Sequence, residues 1–144
     1  MNLDLLLPGA LLALYTIVFF GYLGFRRLQA VKEEEIGVAF FRTYDDGTQP
    51  EKLQVLSRHA INLLETPVLY YLALVFLTVA DRVSIITLSL AYGYLITRWI
   101  HAWIHLGSNR VNRRFTAFTA SMLLLTGLWI DLTIQLVSLQ SWLN

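Results

Sequence analysis

From Leu5 to Phe25 the chain carries no charged residue. A stretch of about 20 apolar residues is what a helix needs to cross a hydrocarbon layer roughly 30 Å thick. Inside lipid the backbone must satisfy its own hydrogen bonds, so such a stretch has to be helical. A secretory leader fits poorly, because Met1-Asn2-Leu3-Asp4 has no basic segment and no small-residue cleavage site follows. Further apolar runs cover about 52–80, 83–106 and 115–140. The predicted fold class is all-α. It is a single four-span membrane domain over 1–144, with spans at about 5–25, 52–80, 83–106 and 115–140. Short connections make successive helices antiparallel, giving an up-down four-helix bundle.

Composition narrows the function classes. The 144 residues are 56% hydrophobic and 15% charged, where soluble domains average about 45–50% and 25%. A net charge of +1 leaves no broad basic surface for phosphates, so nucleic acid is not an expected partner. The chain has no cysteine, which excludes disulfides, thiolate metal sites and a cysteine nucleophile.

The basic residues set the orientation. Arg26, Arg27, Lys32, Arg42 and Lys52 lie between spans one and two, and Arg110, Arg113 and Arg114 between spans three and four. The opposite side has only Arg82. By the positive-inside rule, loops 26–51 and 107–114 are cytoplasmic and both termini lie outside, with a bacterial inner membrane as the expected location. Glu33-Glu34-Glu35 reads as a solvated loop face, and Asp45-Asp46-Gly47 as a turn. Thr48-Gln49-Pro50-Glu51 has the form of a helix start with Thr48 as N-cap. Asp81-Arg82 is a tight break, and Gly107-Ser108-Asn109 ends or bends the third helix. Gly21, Gly24 and Gly93, the last beside Ala91, suit close helix approach. Trp99, Trp103 and Trp142 read as interface anchors. Tyr70, Tyr71, Tyr92 and Tyr94 read as packing residues, and Asp131 as reaching the interface or a neighbouring helix.

The polar residues inside the spans are the informative ones. Arg58, Asn62 and Glu65 are spaced four and three apart and share a helix face, with His59 about 100° away. Arg98, His101 and His105 share a face of the third helix, and Asn109 and Asn112 extend it if the helix continues. A turn at Asp81-Arg82 puts residues equally distant from it level with each other. Glu65 then meets Arg98, Asn62 meets His101 and Arg58 meets His105. Glu65 and Arg98 lie about 23 Å along their helices from the turn, inside the hydrocarbon boundary, where an ion pair is expected. A staple would need one pair, whereas six aligned polar residues suggest a ligand site. The His101-x-x-x-His105 pair has metal-binding spacing, but a catalytic metal needs a third protein ligand and His59 points off the face, so no metal is expected.

Arg58-His59-Ala60-Ile61-Asn62-Leu63-Leu64-Glu65-Thr66-Pro67 resembles the second-helix signature of the MAPEG family, the membrane-associated proteins of eicosanoid and glutathione metabolism. That signature is Arg, Asn four on, Glu three further, then Pro. Arg98-x-x-His101-x-x-x-His105 is similar to the family's third-helix pattern, and the likeness extends over essentially the whole chain. The chain departs from many members at Ile61, Leu63 and His105 and looks more like short bacterial ones.

The resemblance implies a homotrimer with a glutathione site between subunits, open to the cytoplasm. It implies that Arg58, Asn62, Glu65, His101 and His105 line that site, with Arg98 and Asn109 on the same face. Arg26 or Arg27 matches the family's first-helix arginine, and Arg113 or Arg114 the one that stabilises the thiolate. Glutathione is then the co-substrate of a transferase or peroxidase, and a lipophilic small molecule arrives from the membrane lipid. The chemistry is compatible: a cation beside sulfur favours the reactive thiolate, arginine stays charged, and His105 can donate a hydrogen bond or move a proton. The alternative is a non-catalytic trimeric membrane scaffold or lipid-binding protein, whose cationic layer meets anionic headgroups.

Overall fold

The computed structural model describes residues 4–44 and 49–143, with the side chains of Thr43 and residues 139–143 left aside. The turn expected at Asp45-Asp46-Gly47 and the Thr48 N-cap lie outside the described residues, as does the Trp142 side chain. Among the described residues the structure is all helix, with no strand. In chain order the helices are α1 (Leu6–Lys32), α2 (Phe40–Thr43), α3 (Glu51–Leu64), α4 (Thr66–Val79), α5 (Ile85–Leu106) and α6 (Val111–Leu143). Three runs are long and apolar enough to cross a membrane: Leu6–Lys32, Glu51–Val79 and Val111–Ser138. With Arg98, His101 and His105 in its second half, α5 is not among them.

The helices outrun the apolar stretches that predict them. α1 continues through Arg26-Arg27 to Lys32, and α6 starts at Val111, ahead of the expected 115. Arginine and lysine are good helix formers, so loss of apolarity does not end a helix. The stops are local. α1 and α4 both close with a Schellman pattern, in which Glu34 and Asp81 adopt left-handed backbone at φ 56° and 52°. The Glu35 N–H donates to the Ala30 carbonyl at 3.0 Å, and the Arg82 N–H to that of Leu77 at 3.0 Å. α5 then starts at Ile85 behind a reciprocal Ser84–Thr87 capping box.

The second predicted helix is two. α3 stops at Leu64 and α4 begins at Thr66, with Glu65 between them at φ −77°, ψ −80°. Pro67 has no N–H to offer the preceding turn and restrains Thr66 before it, so the helix breaks here.

Two apolar clusters make the core. One joins Leu12, Tyr70, Leu74, Tyr94, Leu125 and Leu128. The other joins Phe19, Leu23, Phe40, Leu53, Ala60 and Leu63 nearer the 26–51 connection. α5 and α6 pack along the most extensive contact, while α1 lies against α3, α4 and α5. The glycines divide. A Cβ on Gly93 would sit 3.3 Å from Leu124, so this close approach is as expected. Gly21 and Gly24 have no neighbour within 4 Å of such a Cβ, which corrects their expected packing role within the chain. Gly9, where a Cβ would lie 2.8 Å from Leu74, is the tight contact instead. Tyr70 stacks on Tyr94 at 4.3 Å and its hydroxyl donates to the Ala91 carbonyl at 3.0 Å, so these tyrosines are packing residues.

Candidate functional site

α3 has one apolar edge, Leu53, Ala60 and Leu63, that turns into the bundle. His59 lies beside this edge and is buried, while its neighbour Arg58 is exposed. Asn62 is half-buried and Glu65 exposed. The face Arg58–Asn62–Glu65 therefore looks along the flank of the bundle, not straight at α5. There it forms one wall of a groove of about 370 Å³. His101 and His105 of α5 form the floor, and Arg114 with Phe115 and Phe118 of α6 the far wall. Six of the sequence-derived site residues thus line one groove, of a size within the range of small-molecule sites.

The predicted Glu65–Arg98 ion pair does not form. Arg98 is 2% exposed and one Nη donates to the carbonyl of Asn62. That carbonyl is available because α3 ends two residues later, and the last four carbonyls of a helix have no intrahelical donor. Glu65 sits at the helix break, exposed and turned to the flank. The other Arg98 Nη and its Nε are buried with no hydrogen-bond partner, and its guanidinium lies 5.8 Å over the ring of Phe118.

His59, which helical spacing alone leaves off the polar face, is at the centre. Its ring lies 5.5 Å from that of His105 and 6.3 Å from that of His101, and its Nε2 is 2.9 Å from the Tyr15 hydroxyl of α1. The signal for it is its place next to the Leu53–Ala60–Leu63 edge, which outweighs its angular distance from Arg58. Despite this closeness of three imidazoles, no group of three His, Asp or Glu among the described residues stands in a metal-holding arrangement.

At the mouth, α5 stops at Leu106, so Asn109 does not extend its face as a helical residue. It reaches the same place through a left-handed backbone at φ 47°, with its N–H donating to the Ile104 carbonyl at 2.8 Å. Asn109 Oδ1 accepts from Arg114 Nη1 at 2.8 Å and lies 3.0 Å from His105 Nδ1. Arg114 Nη1 is also 3.1 Å from that Nδ1. Arginine only donates, so Asn109 Oδ1 accepts from Arg114, and His105 Nδ1 either donates to that oxygen or accepts from Arg114 according to its tautomer, while His105 Nε2 is buried without a partner.

The remaining candidates are elsewhere. Arg113 is exposed and is not among the residues that line the groove with Arg114. Arg26 lies across α3, beside Glu51 and Lys52. Arg27 packs over Phe41 and Tyr44 at 5.7 and 5.8 Å and donates to Ser57 at 3.4 Å. Neither first-helix arginine lines this groove.

Comparison with known protein families matches the MAPEG family over residues 5–134. No curated protein and no solved structure matches the chain.

Proposed function

Because the chain belongs to the MAPEG family over nearly its whole length, we propose that it is a membrane-bound glutathione-dependent transferase or peroxidase acting on a lipophilic substrate. The observation that carries this reading is the convergence of Arg58, Asn62, Glu65, His101, His105 and Arg114 on one groove. We read α5 as the fourth span. Its 22 residues reach about 33 Å, and Arg98, His101 and His105 are all buried inside the subunit, so none of them meets lipid. Both termini are then outside and the groove opens at the cytoplasmic boundary, in a bacterial inner membrane.

Each groove residue has a task suited to its chemistry. The exposed guanidinium of Arg58 pairs with a glutathione carboxylate in fork geometry. Glu65 accepts from the ammonium group, and the Asn62 side chain from or to the peptide. Arg114, fixed by Asn109, supplies a permanent positive charge beside sulfur and so favours the thiolate. His105, which lines the groove, takes the thiol proton. The thiolate then attacks an electrophile delivered from lipid past the apolar rim of Ile61, Val111 and Phe115, all exposed. At carbon it forms a thioether. At a hydroperoxide oxygen it breaks the O–O bond, and the sulfenic acid formed is reduced by a second glutathione. In either case the resulting anion takes the proton back from His105. The groove is open on one side, and a neighbouring copy in a homotrimer closes it.

Titrating the purified protein with glutathione while recording ultraviolet difference absorbance at the thiolate band tests this. The expected result is a saturable thiolate signal that Arg114→Ala abolishes and Arg113→Ala keeps. No signal at millimolar glutathione overturns the enzymatic reading and leaves the non-catalytic one.

A further inference from the structure

We infer that His59, tied to Tyr15 of α1, is a positioning residue for His105: it sets the ring that takes the thiol proton without meeting the thiol itself. What His105 does rests on the glutathione reading. How His105 is held rests on geometry alone. Both imidazoles are 1% exposed, but only His105 is among the residues that line the groove.

An imidazole is a costly choice for packing at this place. His59 Nδ1 is buried with no hydrogen-bond partner, and an apolar side chain next to the Leu53–Ala60–Leu63 edge would leave no polar atom unmet. What the imidazole adds is a directional hold. Its Nε2 lies 2.9 Å from the Tyr15 hydroxyl, a bond that joins α3 to α1. Phe19, one turn along α1 from Tyr15, meets the His59 ring at 4.7 Å and 83°. α1 therefore grips His59 by one nitrogen and by one ring contact, which together fix its place and its tilt.

The same ring bears on α5. Its centroid is 5.5 Å from that of His105, edge to face at 64°, and 6.3 Å from that of His101, near parallel at 24°. His101 and His105 are 5.6 Å apart, so the three rings close a triangle. Asn109 and Arg114 meet His105 at Nδ1, and the bonds there admit either tautomer. Hydrogen bonds at one nitrogen leave a ring free to turn about that end, and the His59 contact removes this freedom. The tautomer that His105 prefers depends on the dipole beside it, and the His59 ring is a dipole set in place from α1. No hydrogen bond or ring contact joins Tyr15 to His105 among the described residues, so the Tyr15 hydroxyl acts on His105 through His59.

The chain has three histidines, so imidazole nitrogen NMR of the 15N-labelled full chain in detergent resolves each, with no glutathione present. Tyr15→Phe keeps the ring and removes the hydroxyl. It is expected to shift the ring nitrogens of His105 together with those of His59. Tyr70→Phe removes a comparable buried bond, to the Ala91 carbonyl, from a ring that packs on Tyr71 and Tyr94, and should leave His105 unmoved. In a His59→Phe chain, adding Tyr15→Phe should have no further effect on His105. If His59→Phe does not fold, Tyr15→Phe and Tyr70→Phe decide by themselves. Glutathione is then added. At saturation the thiolate band of Tyr15→Phe should be about threefold weaker than wild type, and the half-saturating concentration should change less than about twofold because the binding groups are untouched. An unmoved His105 in Tyr15→Phe overturns the proposal, as does an equal shift in Tyr70→Phe or a shift that persists in the His59→Phe chain. A His105 that moves while the thiolate band keeps its wild-type strength overturns it too, and leaves His59 a packing residue. A wild-type chain with no thiolate band defeats the glutathione reading instead, and the spectra still decide whether His59 holds His105.

Discussion

The two ends of the α4–α5 hairpin carry polar groups of opposite character. At the Asp81 end the buried Thr87 hydroxyl donates to Asp131 Oδ2 at 2.6 Å, and Gln135 Nε2 donates to the same oxygen at 2.9 Å. Ser84 and Thr87 cap α5 in the same cluster. Asp131 reaches a neighbouring helix, one of the two roles its position allows, and its network is closed. At the other end Arg98, His59, His101 and His105 are all at most 2% exposed, yet each has a ring or guanidinium nitrogen without a partner. A satisfied buried network rigidifies a fold, while an unsatisfied one costs stability and marks a place built for something else. The first end is a staple and the second is the proposed site.

The comparison can be broken by mutation. The largest effect belongs to the site end. Arg114→Ala should lower kcat/KM with glutathione about 100-fold, the scale of losing one donor aimed at developing negative charge, while the thermal transition stays close to wild type. Arg114→Lys should recover part of the loss, since charge returns without the bond to Asn109. At the staple end Asp131→Ala should lower stability by about 2 kcal/mol, because Thr87 and Gln135 lose a charged acceptor. Denaturation in detergent measures this, and the glutathione titration should be unchanged. A variant that lost glutathione binding as well would mean that the two ends are not separate.

Smaller effects sharpen the contrast. Arg98→Met should change stability by no more than about 1 kcal/mol despite the burial of Arg98, since a partly unpaired buried charge gives way to an apolar side chain of similar length. In a double-mutant cycle Arg98→Met and Glu65→Gln should be additive within about 0.5 kcal/mol, as for residues that do not pair. A larger coupling would restore the ion pair. Tyr15→Phe, which leaves His59 Nε2 without its hydroxyl, should cost about 1 kcal/mol.

Much of the fold and part of the site are legible in the amino-acid sequence. The all-helical class follows from uncharged runs, because lipid admits few alternatives. The membership of Arg58, Asn62, Glu65, His101 and His105 in one groove follows from helical spacing and the family signature. What spacing cannot supply is the rotation of α3. Arg58, Asn62 and Glu65 share a face, but Leu53, Ala60 and Leu63 claim the interior, and the stronger apolar edge turns the polar face to the flank. That rotation brings His59 inward and keeps Glu65 from Arg98. The choice between Arg113 and Arg114 depends on the connection after α5, where one left-handed residue, Asn109, aims its amide oxygen at Arg114.

The sequence by itself determined that this chain is a helical membrane protein of the MAPEG family and which residue types gather near one end of its hairpin. The helical class is set by composition, the family by its motifs along the chain, and the gathering of residue types by periodicity along single helices. Only the tertiary structure decided who faces whom. Helix rotation depends on which edge buries the most apolar surface against its neighbours. The break at Glu65, the turn at Asn109 and the pairing of α1 with α5 are each set by contacts between segments far apart in the chain.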